Sequence, residues 1–280
     1  MNGNRPAVIV PAHNEEVVIT RTLTTLLRSA EPGEFEVFVV CNGCHDRTAE
    51  RVRADFTDVN VIELTEASKT AAINAGIQAS NAPKVMLLDA DIELSTDNAR
   101  ALINALDAPG IEAAIGHMSI DDSGSSWLVR SFYRVWAQHP YLKNGKFAAA
   151  IAISKSALDR IAELPSVVAD DTYLQRMIPT DRVAVIETVH FLARVPKSLR
   201  ALIRVRSRIH RGNRELQQAL PSHTQAPKRQ ARQLAGEVWQ RPSLWLHVPC
   251  YLTVAVAARL LSTNGNQTWE RDLTTRSTAS

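Results

Sequence analysis

The chain has 280 residues, a net charge of +3, 45% hydrophobic and 22% charged side chains. That composition excludes a disordered chain, 11 glycines exclude a collagen-like repeat, and the length provides for one large domain or two small ones. The charge is split: residues 1–196 carry 18 basic and 25 acidic side chains, residues 197–280 carry 14 and 4.

In chain order, residues 7–10, 35–40, 59–64 and 85–88 are short β-rich apolar runs of strand length. Between them, residues 15–30, 47–55 and 69–80 repeat apolar side chains at three- and four-residue steps, and residues 96–106 read as a fourth helix. Val17, Leu23, Leu26 and Leu27 share one face of the first helix, with Asn14 expected as its N-cap. This alternation predicts an α/β fold with a doubly wound, mostly parallel sheet and helices on both faces. After Gly116 the pattern loosens to a helix over 126–136, a small-residue strand over 148–154 and a short helix near 157–162. A basic helix is predicted over 198–211, a connector over 217–242, and an apolar stretch over 244–258. The last is short for a membrane span, which needs roughly 20 apolar residues. With Arg241 and Arg259 at its ends it reads as a buried or a membrane-interfacial helix. The polar tail 268–280 is tied down only if Trp269 docks.

Three cysteines (Cys41, Cys44, Cys250) are too few for a disulfide framework, and the N-terminal segment has no apolar run of signal-peptide length. The expected location is therefore the reducing cytoplasm.

Doubly wound sheets bind ligands beyond the C-terminal ends of their strands, so the residues there are the ones to read. Asp89 and Asp91 follow the run 85–88, and carboxylates at i and i+2 on a strand end project the same way. Two hard oxygen donors at that edge suit Mg²⁺ or Mn²⁺ holding a diphosphate; a pair of turn aspartates is the plainer reading. Lys69 opens the third helix ahead of Asn74 and Gly76, a cation at a helix start where phosphate binds, though most single lysines are simply solvated. In Asp170-Asp171 adjacent carboxylates repel, which equips one of them as a base; acids at a helix start are equally expected. Arg204, Arg206, Arg208, His210, Arg211 and Arg214 crowd one segment, where guanidinium forks match phosphate oxygens. A solvated face is the rival there, and no nucleic-acid motif or aromatic stacking platform accompanies the patch, so no nucleic-acid partner is expected. Cys41-Asn42-Gly43-Cys44-His45 matches a haem-attachment and a redox C-x-x-C pattern, but it also sits where a nucleotide-contacting loop belongs.

Taken together, the order VIVPAHNEE, VVCNGCHDRT, SKTAAINAGI, MLLDADIEL, VVADDTYLQRM, RVRSRIHRGN resembles the family-2 glycosyltransferases of GT-A fold, over residues 7–216. The resemblance implies a catalytic domain over 1–216, with a nucleotide-binding half (1–116) and an acceptor-binding half (117–216), and a helical extension over 217–280. It implies that Pro11, Asn14, Glu15 and Asn42 lie by the nucleoside. Asp46 matches the last acid of the family's D-D-G-S-x-D loop, and Lys69 and Asn74 its K-A-x-A-L-N segment near the nucleotide. Asp89 and Asp91 match the D-x-D motif, with Asp91 the direct metal ligand and Mn²⁺ or Mg²⁺ the cofactor. Asp171 matches the general base, with Asp170 in place of the preceding glutamate, and Arg208 and Arg211 match arginines near the diphosphate and acceptor.

Departures from the pattern carry information. Cys41 and Asn42 replace the first two acids of the D-D-G-S loop, so a UDP donor does not follow. Val205 and Ile209 replace the Gln and Trp of a segment that typifies processive polymer synthases, which points to single-sugar transfer. The implied reaction is inverting, metal-assisted transfer from a nucleotide-diphosphate sugar to an acceptor hydroxyl, in glycan, polysaccharide or glycoconjugate synthesis. The acceptor is expected against residues 144–154, where Lys143 and Lys146 favour an anionic or lipid-linked molecule, with peripheral contact at the inner face of a membrane. The alternative is a non-catalytic nucleotide-sugar or polyanion binder on the same fold. A nucleotidyltransferase ranks third, because residues 11–15 contain no glycine for a phosphate loop.

Overall fold

The computed structural model describes residues 5–143, 145, 147–165, 170–219 and 226–262. The chain divides into two compact units, one of Met1–Ser119 with Gly145–Ala193, the other of Ile120–Asn144 with Arg194–Ser280. Each is discontinuous in sequence, whereas the expected division at residue 216 is linear.

In chain order the first unit begins β1 (Ala7–Ala12), α1 (Ile19–Leu27), β2 (Glu36–Asn42), α2 (Thr48–Asp55), β3 (Asn60–Leu64), α3 (Lys69–Ala79) and β4 (Lys84–Leu88). It continues through β5 (Ile92–Glu93), α4 (Thr96–Ala105) and β6 (Ala113–Asp121). The chain then forms α5 (Trp127–Trp136) and α6 (Pro140–Lys143) of the second unit. It returns as β7 (Ala150–Ser154), α7 (Lys155–Ile161), α8 (Asp170–Met177) and β8 (Val183–Arg194). The sheet order is β3-β2-β1-β4-β7-β6-β8-β5. Pairing is parallel from β3 to β4, and antiparallel for β4–β7, β6–β7 and β5–β8.

β1 is buried along its whole length, as a strand covered on both faces must be. Val8 and Val10 point into the cluster that holds Ile19, Leu23 and Leu26 of α1. Ile9 alternates to the other face, where a Cβ on Gly76 of α3 would stand 2.5 Å from its Cγ2. Helices therefore cover both faces, and glycine at 76 lets α3 lie directly on β1. In α1, Ile19, Thr22, Leu23 and Leu26 make the buried stripe at helical spacing.

Several expected boundaries move. The first helix starts at Ile19, and Asn14 does not cap it: the cap is Val18, with no side-chain bond. Asn14 sits instead at φ 49, a left-handed turn that asparagine tolerates. β6 and β8 escape the sequence pattern because their burial does not alternate cleanly. Asn144, Lys146, Val167, Val168 and the tail with Trp269 lie outside the described residues.

The second unit adds α9 (Leu199–Ala219), α10 (Ala226–Trp239), a 3-10 turn (Pro242–His247) and α11 (Val248–Leu261). α9 runs well past the expected 211, and α10 occupies most of the expected connector: its Gln, Lys and Arg residues are helix formers once one face finds a neighbour. α11 packs on α5 and α9. Phe132 stacks on Tyr251 with ring centroids 5.2 Å apart, and the Arg206 guanidinium lies 5.6 Å from the Phe132 ring and 5.4 Å from that of Trp136. His210 is held to about 4 by burial and by Arg206, Arg259 and Arg214, so it is neutral at physiological pH.

Candidate active site

The C-terminal ends of β1 and β4, the start of α3 and the start of α8 converge in the first unit. A small open pocket lies there, lined by Pro11, Lys69, Ile73, Asp89, Asp170 and Asp171 among others. Of the expected site residues, Pro11, Lys69, Asp89, Asp170 and Asp171 line it.

Lys69 organises the cluster. Ser68 caps α3 by accepting from Ala71 N, which sets Lys69 at the first helical position. Its Nζ lies 2.8 Å from Asp89 Oδ1 and 2.9 Å from Asp170 Oδ2. Burial works against the ammonium, but the carboxylates of Asp170, Asp89 and Asp171 outweigh it and hold the Lys69 pKa well above the ordinary lysine value. A fixed cation therefore sits among three carboxylates and offsets the repulsion between Asp170 and Asp171. Asp170 is buried in this ion pair, while Asp171, beside it on α8, is only half-buried and lines the pocket.

Asp89 N donates across to Ala149 O at 2.8 Å, next to the β4–β7 pairing, and Asp89 O closes the following turn by accepting from Ile92 N at 3.2 Å. Ala149 itself lines the pocket in a conformation that the sequence pattern gives no sign of. Its φ is 69, and Ala150 N donates to Ala148 O at 2.8 Å, the hydrogen bond of a γ-turn. For an L-residue this backbone is strained, and such strain concentrates at functional sites.

A second group surrounds the ends of β1 and β2. Asn14 Oδ1 accepts from the backbone N–H groups of His45 and Asp46, and Asn14 N donates to Cys44 Sγ at 3.2 Å. Buried Glu15 donates from N to Thr48 Oγ1 at 2.7 Å. The carboxylate of Asp46 accepts from Glu16 N and from both N and Oγ1 of Thr48. His13 Nδ1 bonds Asn42 O, and Asn42 Nδ2 donates to Ala12 O at 2.9 Å. Asn42 Oδ1 is buried with no hydrogen-bond partner among the described residues. Gly43, at φ 54, would bring a Cβ to 2.8 Å from Ala67 N, so only glycine fits the turn.

Cys41 and Cys44 stand as free thiols in this loop. The hydrogen bond from Cys41, reinforced by that from Asn14 N–H, outweighs burial and draws the Cys44 thiol down to about 7. Its partner Cys41 is pushed up by the same bond and by burial.

Asn74, expected near the nucleotide, has another occupation. Its Nδ2 donates to Leu164 O at 2.9 Å and its Oδ1 accepts from Leu164 N at 3.0 Å, so its amide clamps the peptide six residues before Asp170. Its partner lies 90 positions along the chain, so no local sequence signal could have revealed this. Arg208 and Arg211 lie on α9, in the second unit.

Among the described residues no three His, Cys, Asp or Glu side chains gather to cage a metal. Asp89 and Asp91 offer what Mg²⁺ or Mn²⁺ takes when it also binds a diphosphate, namely one or two carboxylates, with phosphate and water completing the shell. The donor set fits that role.

Comparisons with known proteins bear on the family and the fold. The family model "Glycosyl transferase family 2" matches residues 7–156. An N-acetylglucosaminyltransferase of Rhizobium meliloti (strain 1021) is 31% identical over 129 residues, covering 44% of this chain and 30% of the relative. The chain thus spans about a third of the length of such curated relatives. Among solved structures, the mannosyltransferase PcManGT from Pyrobaculum calidifontis, in complex with GDP-Man and Mn²⁺, superposes with a TM-score of 0.62 at 22% identity, over 94% of this chain and 76% of that one. Glucosyl-3-phosphoglycerate synthase from Mycobacterium tuberculosis, with Mn²⁺, UDP and glucosyl-3-phosphoglycerate, gives 0.59 at 17% identity, over 80% and 82%. These two establish the GT-A fold, as the mixed, mostly parallel sheet requires. Because the family model takes in more than half of the residues, from β1 through the start of α7, the chain belongs to glycosyl transferase family 2.

Proposed function

We propose that the chain is an inverting glycosyltransferase that moves one sugar from a nucleotide-diphosphate sugar to an acceptor hydroxyl. The observation that carries this reading is the pocket in which Lys69 fixes Asp89 and Asp170 while the half-buried Asp171 stands beside them. Asp171 takes the proton of the acceptor hydroxyl as its oxygen bonds to the anomeric carbon, and the bond from that carbon to the diphosphate breaks with its electron pair. Asp170, locked against Lys69, positions Asp171 at the start of α8. A Mn²⁺ or Mg²⁺ ion held by Asp91 and Asp89 would supply charge neutralisation for the departing diphosphate. With its ammonium engaged by two carboxylates, Lys69 acts as the organiser of the site.

Asn42 Oδ1 is the group we assign to the donor's base, as a buried acceptor left for an N–H donor. Pro11, Asn14 and Glu15 shape the same loop, and Asp46 holds it. For Arg208 and Arg211 the diphosphate or acceptor role rests on the family segment they match. A lipid-linked or anionic acceptor rests on the charge of Lys143, Lys146 and the later arginines, and catalysis carried by residues 1–216 rests on the same resemblance. Three free thiols suit a reducing cytoplasm.

A thermal-shift screen of UDP, GDP, dTDP, ADP and CDP, each with and without Mn²⁺, tests the reading. A ligand bound only by the folded chain raises its stability as RT ln(1 + [L]/Kd). The expected outcome is a metal-dependent shift for one nucleotide. No shift with any of them would overturn the donor site.

A further inference from the structure

The outward face of α11 is unlike that of a solvated helix. Leu252, Val256 and Leu260, at i, i+4 and i+8, are 55%, 56% and 67% exposed, while Val254 and Ala258 on the opposite side are fully buried. A surface helix keeps polar residues on its outer side; here both sides are apolar. The apolar surface continues from the N-terminal end of α11. Leu246 is 73% exposed, and the Trp245 ring stands 5.5 Å from that of Trp239, itself 74% exposed. At the start of α5 the exposed Trp127 lies 6.1 Å from the His247 ring, and Leu128 O accepts from Cys250 Sγ of α11.

We propose that this face of the second unit docks into the interface of an anionic lipid bilayer. Two observations choose lipid as the occupant. Three exposed tryptophans suit the headgroup level, where an indole finds apolar and polar surroundings at once. Exposed Arg130, Arg241 and Arg259 accompany them, and residues 197–280 carry 14 basic against 4 acidic side chains, the complement of an anionic surface.

The helix lies along the surface and does not cross it. By length and composition Pro242–Leu261 could span a bilayer. Yet its inner side is committed: Leu244, His247, Val254 and Ala258 are buried, and α11 packs on α5 and α9. His247 Nδ1 is 3.1 Å from Ser131 Oγ and its Nε2 3.1 Å from Arg134 Nη1. Crossing would strip His247 of both partners and place it in hydrocarbon, where an unsatisfied polar group costs several kcal/mol. This docking face is independent of the sugar-transfer reading.

The test is co-sedimentation of the full chain with phosphatidylcholine vesicles, with and without phosphatidylglycerol, for the native chain and a Leu252→Gln, Val256→Gln, Leu260→Gln variant. The native chain is expected to bind the anionic vesicles, less at high salt, and the variant's partition coefficient to fall about tenfold or more. Since these side chains point outward, the variant should melt like the parent. Should it fail to fold, quenching of the native tryptophans by brominated lipids replaces it, and absence of quenching overturns the proposal. Equal binding by native chain and variant also overturns it. So does failure of the native chain to bind combined with a dimer in solution that the variant disrupts, which assigns the face to a second copy.

Discussion

Two polar clusters stand at the strand ends of the first unit, and they treat their side chains in opposite ways. At the ends of β1 and β2, the side chains of Asn14 and Asp46 are engaged by backbone N–H groups, so these residues hold the two loops in shape. Around Lys69, the contacts run between charged side chains that line a pocket, with the half-buried Asp171 in its wall. Both clusters carry residues that match family motifs, although Cys41 and Asn42 depart from the pattern in the first. A motif thus places a residue at the site, and only the partners of its polar atoms tell whether it holds the protein or is offered to a ligand.

The sharpest way to break this distinction is Asp171→Asn. The substitution keeps the shape and removes the proton acceptor, so sugar transfer should fall by roughly 10²–10⁴-fold while the nucleotide-induced thermal shift persists. Near-normal turnover would return Asp171 to the class of structural acids and overturn its role as the base. Next in size is Lys69→Met, which leaves three carboxylates together without their cation. Removing one partner of a buried pair costs about 3–5 kcal/mol, and the partial exposure of Lys69 and Asp89, 19% and 31%, places this site toward the lower end. Because the folded-state pKa of Lys69 is raised, its contribution is complete below the ordinary lysine value of about 10.4 and is lost only as pH rises through the folded value. Denaturant titrations of the two chains should therefore differ by a constant amount between neutral pH and about pH 10. A gap that closes within that range would show that Lys69 is not the fixed charge of the cluster.

Asn74 sharpens the comparison from the structural side. Asn74→Ala leaves the N–H and C=O of buried Leu164 without their amide partner, at a cost of about 1–3 kcal/mol, visible as a fall of several degrees in melting temperature. At saturating ligand the affinity of the refolded variant for the nucleotide should be unchanged. An affinity loss with no loss of stability would move Asn74 into the binding site after all.

Much of the fold was legible because burial writes itself into strands and stripes. Continuous runs such as 85–88 and the α1 repeat of Leu23 and Leu26 are forced by a sheet covered on both faces. The strands β6 and β8 were not, since their partly exposed residues leave no period to read. At the site, residue types and order singled out Lys69, Asp89, Asp170 and Asp171, and the structure brings these four to one pocket. The occupation of Asn74 stayed hidden: its partner is a backbone 90 positions away, which no local pattern encodes. The strained turn at Ala149 stayed hidden too, since alanine carries no conformational signature.

The smallest effect lies in the loop that departs most from the family pattern. Cys44 is half-buried and receives hydrogen bonds from Cys41 and from Asn14 N–H, which draw its thiol down to about 7. The thiolate is the reactive form, so the rate of alkylation by iodoacetamide should rise with pH and reach half its limit near pH 7. Cys41, buried and shifted the opposite way, should stay unmodified throughout. Replacing the hydrogen-bond donor, as in Cys41→Ala, should move the Cys44 midpoint upward toward the ordinary thiol value of about 8.5. Peptide mapping of the alkylated chain checks both statements. A Cys44 midpoint unmoved by Cys41→Ala would mean that the two thiols do not share a proton, and that this loop, like Asp46 within it, is held by its backbone alone.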